Sequence, residues 1–166
     1  MPTLNKIVPC LWFDSQAEEA ARYYVSIFKN SELGTITRYG KEGFEIHKKP
    51  EGSVMTVSFY LDGQEFTALN GGPIFKFNEA VSLEVRCKDQ AEIDYYWEKL
   101  GAGGDPKAQQ CGWLKDKYGL SWQVVSADWV DMMANATSAQ AERMMKAMLP
   151  MKKFDMAALK RAFDGK

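Results

Sequence analysis

The chain carries one helix-start signal twice. Ser15-Gln16-Ala17-Glu18 and Asp89-Gln90-Ala91-Glu92 lie 74 residues apart, each between a short apolar run and an amphipathic segment. A hydroxyl or carboxylate followed three residues later by Glu satisfies the orphan amides of a helix N-terminus. Three shared letters would be a weak repeat, so the weight rests on the shared order of strand, cap, helix and returning strands. A strand is expected over 7–13, before the first cap. After it, Ala17, Ala20, Ala21, Tyr24, Ile27 and Phe28 recur at helical spacing, which predicts a helix with one apolar stripe to about Lys29. Residues 33–39, 53–61 and 64–70 read as strands, with Asp62-Gly63 as the tight turn between the last two and 40–52 as a loop. The pattern restarts with a strand over 80–87 and a helix presenting Ile93, Tyr96, Trp97 and Leu100, which Gly101 ends. Strands over 110–115 and 120–126 follow, around a turn at Tyr118-Gly119.

Each half therefore reads as a βαβββ unit, the second without a clear first returning strand in the polar stretch 102–109. The expected fold class is α+β: tandem βαβββ modules, 5–72 and 79–126, forming a curved sheet with a cleft in a single domain over 5–126. A helical C-terminal extension occupies 127–166, with Asp128 starting one piece, Thr137 and Gln140 capping a second, and Asp155 capping a third after Pro150. Seven of the nine methionines lie there (132, 133, 144, 145, 148, 151, 156). With Trp129, Leu149, Phe154, Leu159 and Phe163 they give helix faces too apolar for water, to be buried on the chain's own sheet or on a partner.

Charge and composition exclude several function classes. Twenty-one Lys plus Arg against 22 Asp plus Glu leave a net charge of -1, which provides no field for a polyanion, so no nucleic-acid partner is expected. No apolar run approaches the ~20 residues that span a bilayer. The start, MPTLNKIVPCLWFDSQ, has no secretory stretch, and a cytoplasmic protein without a membrane partner is expected. Cys10, Cys87 and Cys111 show no CxxC spacing and read as reduced thiols, Cys111 as an inert one because no base accompanies it. His47 is the only histidine, so no site can use two imidazoles; beside Lys48 and Lys49 it reads as a solvated loop residue. Asn70-Gly71-Gly72-Pro73 reads as a turn rather than a phosphate loop, because no helix start follows it. Trp113 and Trp122 read as packing residues.

LWFDS (11–15), ALNGGPIFKFNEAVSLEV (68–85), DQAE (89–92), CGWLKDKYGLSWQVV (111–125) and KAMLPMKKFDMAALKRAFDG (146–165) resemble the vicinal oxygen chelate (glyoxalase/bleomycin resistance-like) superfamily. Within it they are similar to the PhnB-like group often labelled demethylubiquinone methyltransferase-like. The resemblance implies paired βαβββ modules, a homodimer, and a small-molecule cavity in the concave sheet. Metal-dependent members hold a divalent ion on His and Glu side chains from four strands. Counted from Asp89, Gly119 and Gly63 and carried across the repeat, those positions fall here on Val8, Thr67, Ser82 and Gln123. A valine, two hydroxyls and an amide do not offset the dehydration of a divalent cation, so neither metal nor other cofactor is expected. The methyltransferase label is disfavoured as well, since no glycine-rich strand-to-helix turn in a parallel sheet is present.

Strand alternation places Val8, Cys10 and Trp12 on one face and Ser82, Glu84 and Arg86 on another, with Ser121 and Val125 flanking Gln123. Trp12, Thr67, Ser82, Glu84, Arg86 and Gln123 are the candidate ligand-binding residues, able to hold a polar organic molecule by stacking, a guanidinium fork and an amide. A register slip of one residue would instead leave Glu84 and Arg86 as rim residues and Gln123 as a core polar group. Two functions fit: a binding protein for a small polar or aromatic compound, or a cofactor-independent enzyme with Glu84 as base and Arg86 stabilising a developing anion.

Overall fold

The computed structural model describes residues 5–166 and divides into two units, one ending at Lys76 and the other running Phe77–Lys166. The first four residues, part of the start read above as non-secretory, lie outside the described residues.

The first unit holds β1 (Cys10–Phe13), α1 (Ala17–Ile27), β2 (Glu32–Arg38), the single-turn α2 (Phe44–His47), β3 (Val54–Leu61) and β4 (Gln64–Asn70). Its sheet runs β1-β4-β3-β2, with β1 parallel to β4 and the other pairs antiparallel. Leu11, Phe13, Val57, Phe59, Phe66 and Ala68 share a buried face against Ala17, Ala20, Ala21, Tyr24 and Ile27 of α1. The 11-residue α1 is too short to persist alone in water, and burial of this stripe stabilises it. The Asp62-Gly63 turn adopts φ 48° and 81°, the paired positive values of a type I′ hairpin.

Four expectations for this unit change. β1 starts at Cys10 rather than at residue 7. Ser15 does not cap α1: Gln16 is the N-cap residue, its side chain makes no capping bond, and the Ala17 amide donates to Asn70 Oδ1 at 2.8 Å. Glu18 instead pairs with Arg22. The 40–52 loop contains α2, and His47 is half-buried against the Tyr39 ring at 4.4 Å. Its Nδ1 accepts from the Lys49 amide (2.9 Å), so Nε2 carries the proton and donates to the Glu42 carbonyl (3.1 Å).

The second unit holds β5 (Ser82–Cys87), α3 (Gln90–Gly101), a 3-10 turn (Pro106–Ala108), β6 (Trp113–Lys115), β7 (Ser121–Ser126), α4 (Ala127–Asn135), α5 (Ser138–Met148) and α6 (Met156–Asp164). Its sheet runs β5-β7-β6, with β5 parallel to β7. The register exposes the duplication: Cys10 faces Thr67 in the first unit as Glu84 faces Gln123 in the second, and Cys10 to Glu84 repeats the 74-residue offset. In 102–109 the glycine-rich segment makes the 3-10 turn, capped by Asp105, in place of a strand. Asp89 caps α3 as expected, accepting from the Glu92 amide at 2.9 Å. Gly101 is the last helical residue, and the left-handed position comes two residues later at Gly103.

The extension packs into its own unit. Met144, Phe154 and Leu159 are fully buried, whereas Met145 and Leu149 stay exposed. Cys111 and Gly112, with φ 50° and 82°, form a tight turn whose amides donate to the Met151 and Lys152 carbonyls at 2.8 and 2.7 Å. Gly112 is required there, because a Cβ would press on the Phe154 ring and the Val124 carbonyl. The Gln90 side chain donates to the Phe154 carbonyl and accepts from the Met156 amide. Ser126, not Asp128, caps α4, while Thr137 with Gln140 and Asp155 cap α5 and α6 as the sequence pattern indicates. Among the described residues, no helix is long and apolar enough to cross a membrane.

Candidate functional site

β5 and β7 position most of the sequence-predicted side chains. Leu83, Val85 and Cys87 pair in register with Trp122, Val124 and Ser126, and they form the face toward α3, where Cys87 and Trp122 are sealed. The alternate positions share the opposite face: Ser82 beside Ser121, Glu84 beside Gln123, Arg86 beside Val125, with Trp113 and Lys115 of β6 alongside Gln123 and Ser121. The four candidates from this unit therefore lie together.

Gln123 Nε2 donates to Ser82 Oγ at 2.9 Å. Arg86 Nε donates to Glu84 Oε1 at 2.6 Å, and this charge-assisted bond raises the guanidinium pKa above its usual value. The Arg86 side chain remains 63% exposed, and the guanidinium keeps N–H groups for another acceptor. Lys115 pairs with Glu79, whose carboxyl it holds below the usual range. Ser121, which strand alternation marks only as a flanking position, is completely buried, and its Oγ has no hydrogen-bond partner. A buried unpartnered hydroxyl costs about 1–3 kcal/mol. Strand alternation gives its side; its burial depends on packing that leaves no local pattern.

Trp12 and Thr67 belong to the first unit, on the sheet face away from α1. Trp12 is held by Nε1 donation to the Gly72 carbonyl at 2.9 Å and by an edge contact with Phe75 at 4.9 Å. A side chain on Gly71 would fall inside the indole, which explains the glycine there. Through the repeat Trp12 corresponds to Arg86, and the shared register makes Thr67 the counterpart of Gln123. Val8 precedes β1.

These residues do not fit a divalent metal. Val8 has no donor atom, Thr67 offers a hydroxyl, and Ser82 Oγ is engaged by the Gln123 amide. Nor do the glycines fit a nucleotide-type cofactor: the Gly71 and Gly72 amides are taken by the Phe13 and Asp14 carbonyls, and no helix begins after them. Burial pushes the Cys87 thiol up to about 12, and burial also raises Cys10, so neither is an activated thiolate. Cys111 Sγ donates to the Leu149 carbonyl at 3.5 Å and accepts from the Gln110 side-chain amide at 3.4 Å. Trp122 is a core residue whose Nε1 donates to the buried Asp116 at 2.8 Å, as expected of packing, whereas Trp113 is half-buried on the candidate face.

A family profile described as 3-demethylubiquinone-9 3-methyltransferase matches residues 5–125. The extension, whose sequence contributed to the resemblance above, lies beyond that match. Among solved structures, a putative 3-demethylubiquinone-9 3-methyltransferase, PhnB protein, from Bacillus cereus is 38% identical with TM-score 0.62, the alignment covering 74% of this chain and 100% of that one. Protein PA1353 from Pseudomonas aeruginosa is 19% identical with TM-score 0.57, over 74% of this chain and 98% of its own, a likeness of fold. No curated protein sequence matches significantly.

Proposed function

Because the chain belongs to the 3-demethylubiquinone-9 3-methyltransferase family, a PhnB-like family of the vicinal oxygen chelate superfamily, we propose that it binds a small polar or aromatic molecule without a catalytic metal. The observation that carries this reading is the face shared by Ser82, Glu84, Arg86 and Gln123. Gln123 Oε1 offers an acceptor, the Ser82 hydroxyl offers a proton, and the free guanidinium N–H groups suit a carboxylate or another oxyanion. Trp12 and Thr67 are carried in the proposal as the first unit's counterparts. Methyl transfer is not proposed, since the glycine amides a nucleotide cofactor would use are occupied. Glu84 is also a weak candidate for a catalytic base, as one carboxylate oxygen already accepts from Arg86.

The proposal includes a homodimer in the cytoplasm, the assembly that the family resemblance implies; sedimentation velocity of the full chain reads the assembly directly. A thermal-shift screen of polar and aromatic metabolites tests the binding face. A ligand at about 100 times its Kd stabilises by about 2.7 kcal/mol. The double variant Glu84→Gln with Arg86→Met is expected to lose that shift. An unchanged ligand profile removes both residues from the site, and conversion of the ligand during the assay favours the enzyme reading.

A further inference from the structure

We propose that the C-terminal extension builds a second binding site, lined by none of the sheet-face candidates, which takes a small organic amine with an apolar body. The family match ends at residue 125, and a cavity of about 310 Å³ is lined entirely by residues numbered 126 and above. Two helices supply it with matched triples. α4 contributes Asp128, Asp131 and Met132, and α6 contributes Met156, Leu159 and Lys160, each at i, i+3 and i+4 and so on one helical face. Two thioethers and a leucine make walls that adapt to an apolar body.

The polar groups select its charge. Asp128 and Asp131 make no ion pair within 4.0 Å among the described residues, and Lys160 at the rim is likewise unpaired and carried on a flexible stem. Arg86 senses the charge of Asp131, but its Nε is engaged by Glu84 at 2.6 Å. Two carboxylates against one mobile ammonium leave the cavity net negative. The Ser126 hydroxyl, buried in the lining, accepts from the Trp129 amide at 3.2 Å and keeps a second lone pair for an ammonium N–H. The volume lies at the lower end of small-ligand pockets, about 300–1,000 Å³, and suits a one-ring amine.

The test uses the full chain with ¹³C-methyl methionine and 2-phenylethylamine as probe, with 2-phenylethanol and 3-phenylpropionate as uncharged and anionic controls. The amine is expected to shift the Met132 and Met156 methyl signals saturably while Met55, in the other unit, stays in place. The alcohol should bind about threefold to tenfold more weakly, and the acid more weakly still. Asp128→Asn combined with Asp131→Asn, both at exposed positions, should weaken the amine by a similar factor, with the same spectra reporting that the variant is folded. Absence of saturable shifts at Met132 and Met156, equal affinity for all three probes, or wild-type affinity in the double variant would each overturn the site.

Discussion

Asn70 carries more of the first unit than any local pattern suggests. Its Oδ1 takes the Ala17 amide at the start of α1, its Nδ2 donates to the Val54 carbonyl at 3.1 Å, and its own carbonyl accepts the Tyr39 hydroxyl at 2.6 Å. Asn70→Leu should therefore destabilise the chain by about 2–4 kcal/mol, from two lost bonds and two polar groups left buried, as read by urea denaturation. Cys87 provides a second single-residue prediction. Its thiol holds its proton to about pH 12 in the folded chain against about 9 unfolded, so the folded state binds the extra proton between those values. Stability should be complete below pH 9 and fall as the pH rises towards 12, with Cys87→Ser weakening that dependence in denaturation melts. The shared side of Ser82, Glu84 and Arg86 is legible in the sequence from strand alternation, whereas the register that sets Gln123 beside Glu84 comes from the pairing of β5 with β7. The orphaned Ser121 hydroxyl is not legible in the sequence, because alternation gives the side of a strand residue and not whether its Oγ finds a partner.

At the scale of elements, the caps divide into local and remote ones. Asp89, Thr137 with Gln140, and Asp155 each bond an amide three residues ahead, so spacing alone reveals them. The cap of α1 comes from a strand 53 residues away, and Ser15-Gln16-Ala17-Glu18 only imitates the local signature. The extension raises a different difficulty: periodicity identifies apolar helix faces without saying what covers them. Met144, Phe154 and Leu159 are covered by the second unit itself, and the Phe154 ring also meets Trp129 edge-on at 5.4 Å. A chain ending at Ser126 would lose three buried side chains, worth about 1.5–3 kcal/mol each. It should show weakened near-ultraviolet circular dichroism and early urea unfolding; an unchanged transition would mean that the helices add nothing to the core.

At the scale of the molecule, the duplication is legible because both copies keep the parallel pairing of first and last strands, which requires the same strand-helix-return order in each. The second copy lacks a strand where Gly103, Gly104 and Pro106 deny a regular ladder. It carries α4, α5 and α6 afterwards. Because that unit has its own sheet and core, the fragment Phe77–Lys166 is expected to melt cooperatively by circular dichroism; a gradual loss of signal would show that it needs the rest of the chain. The thiol beneath α3 belongs to the same unit and is completely shielded. A maleimide can reach it only during the intervals when that face is open, so the rate at which Cys87 is labelled counts openings of the second unit and makes the native chain its own clock.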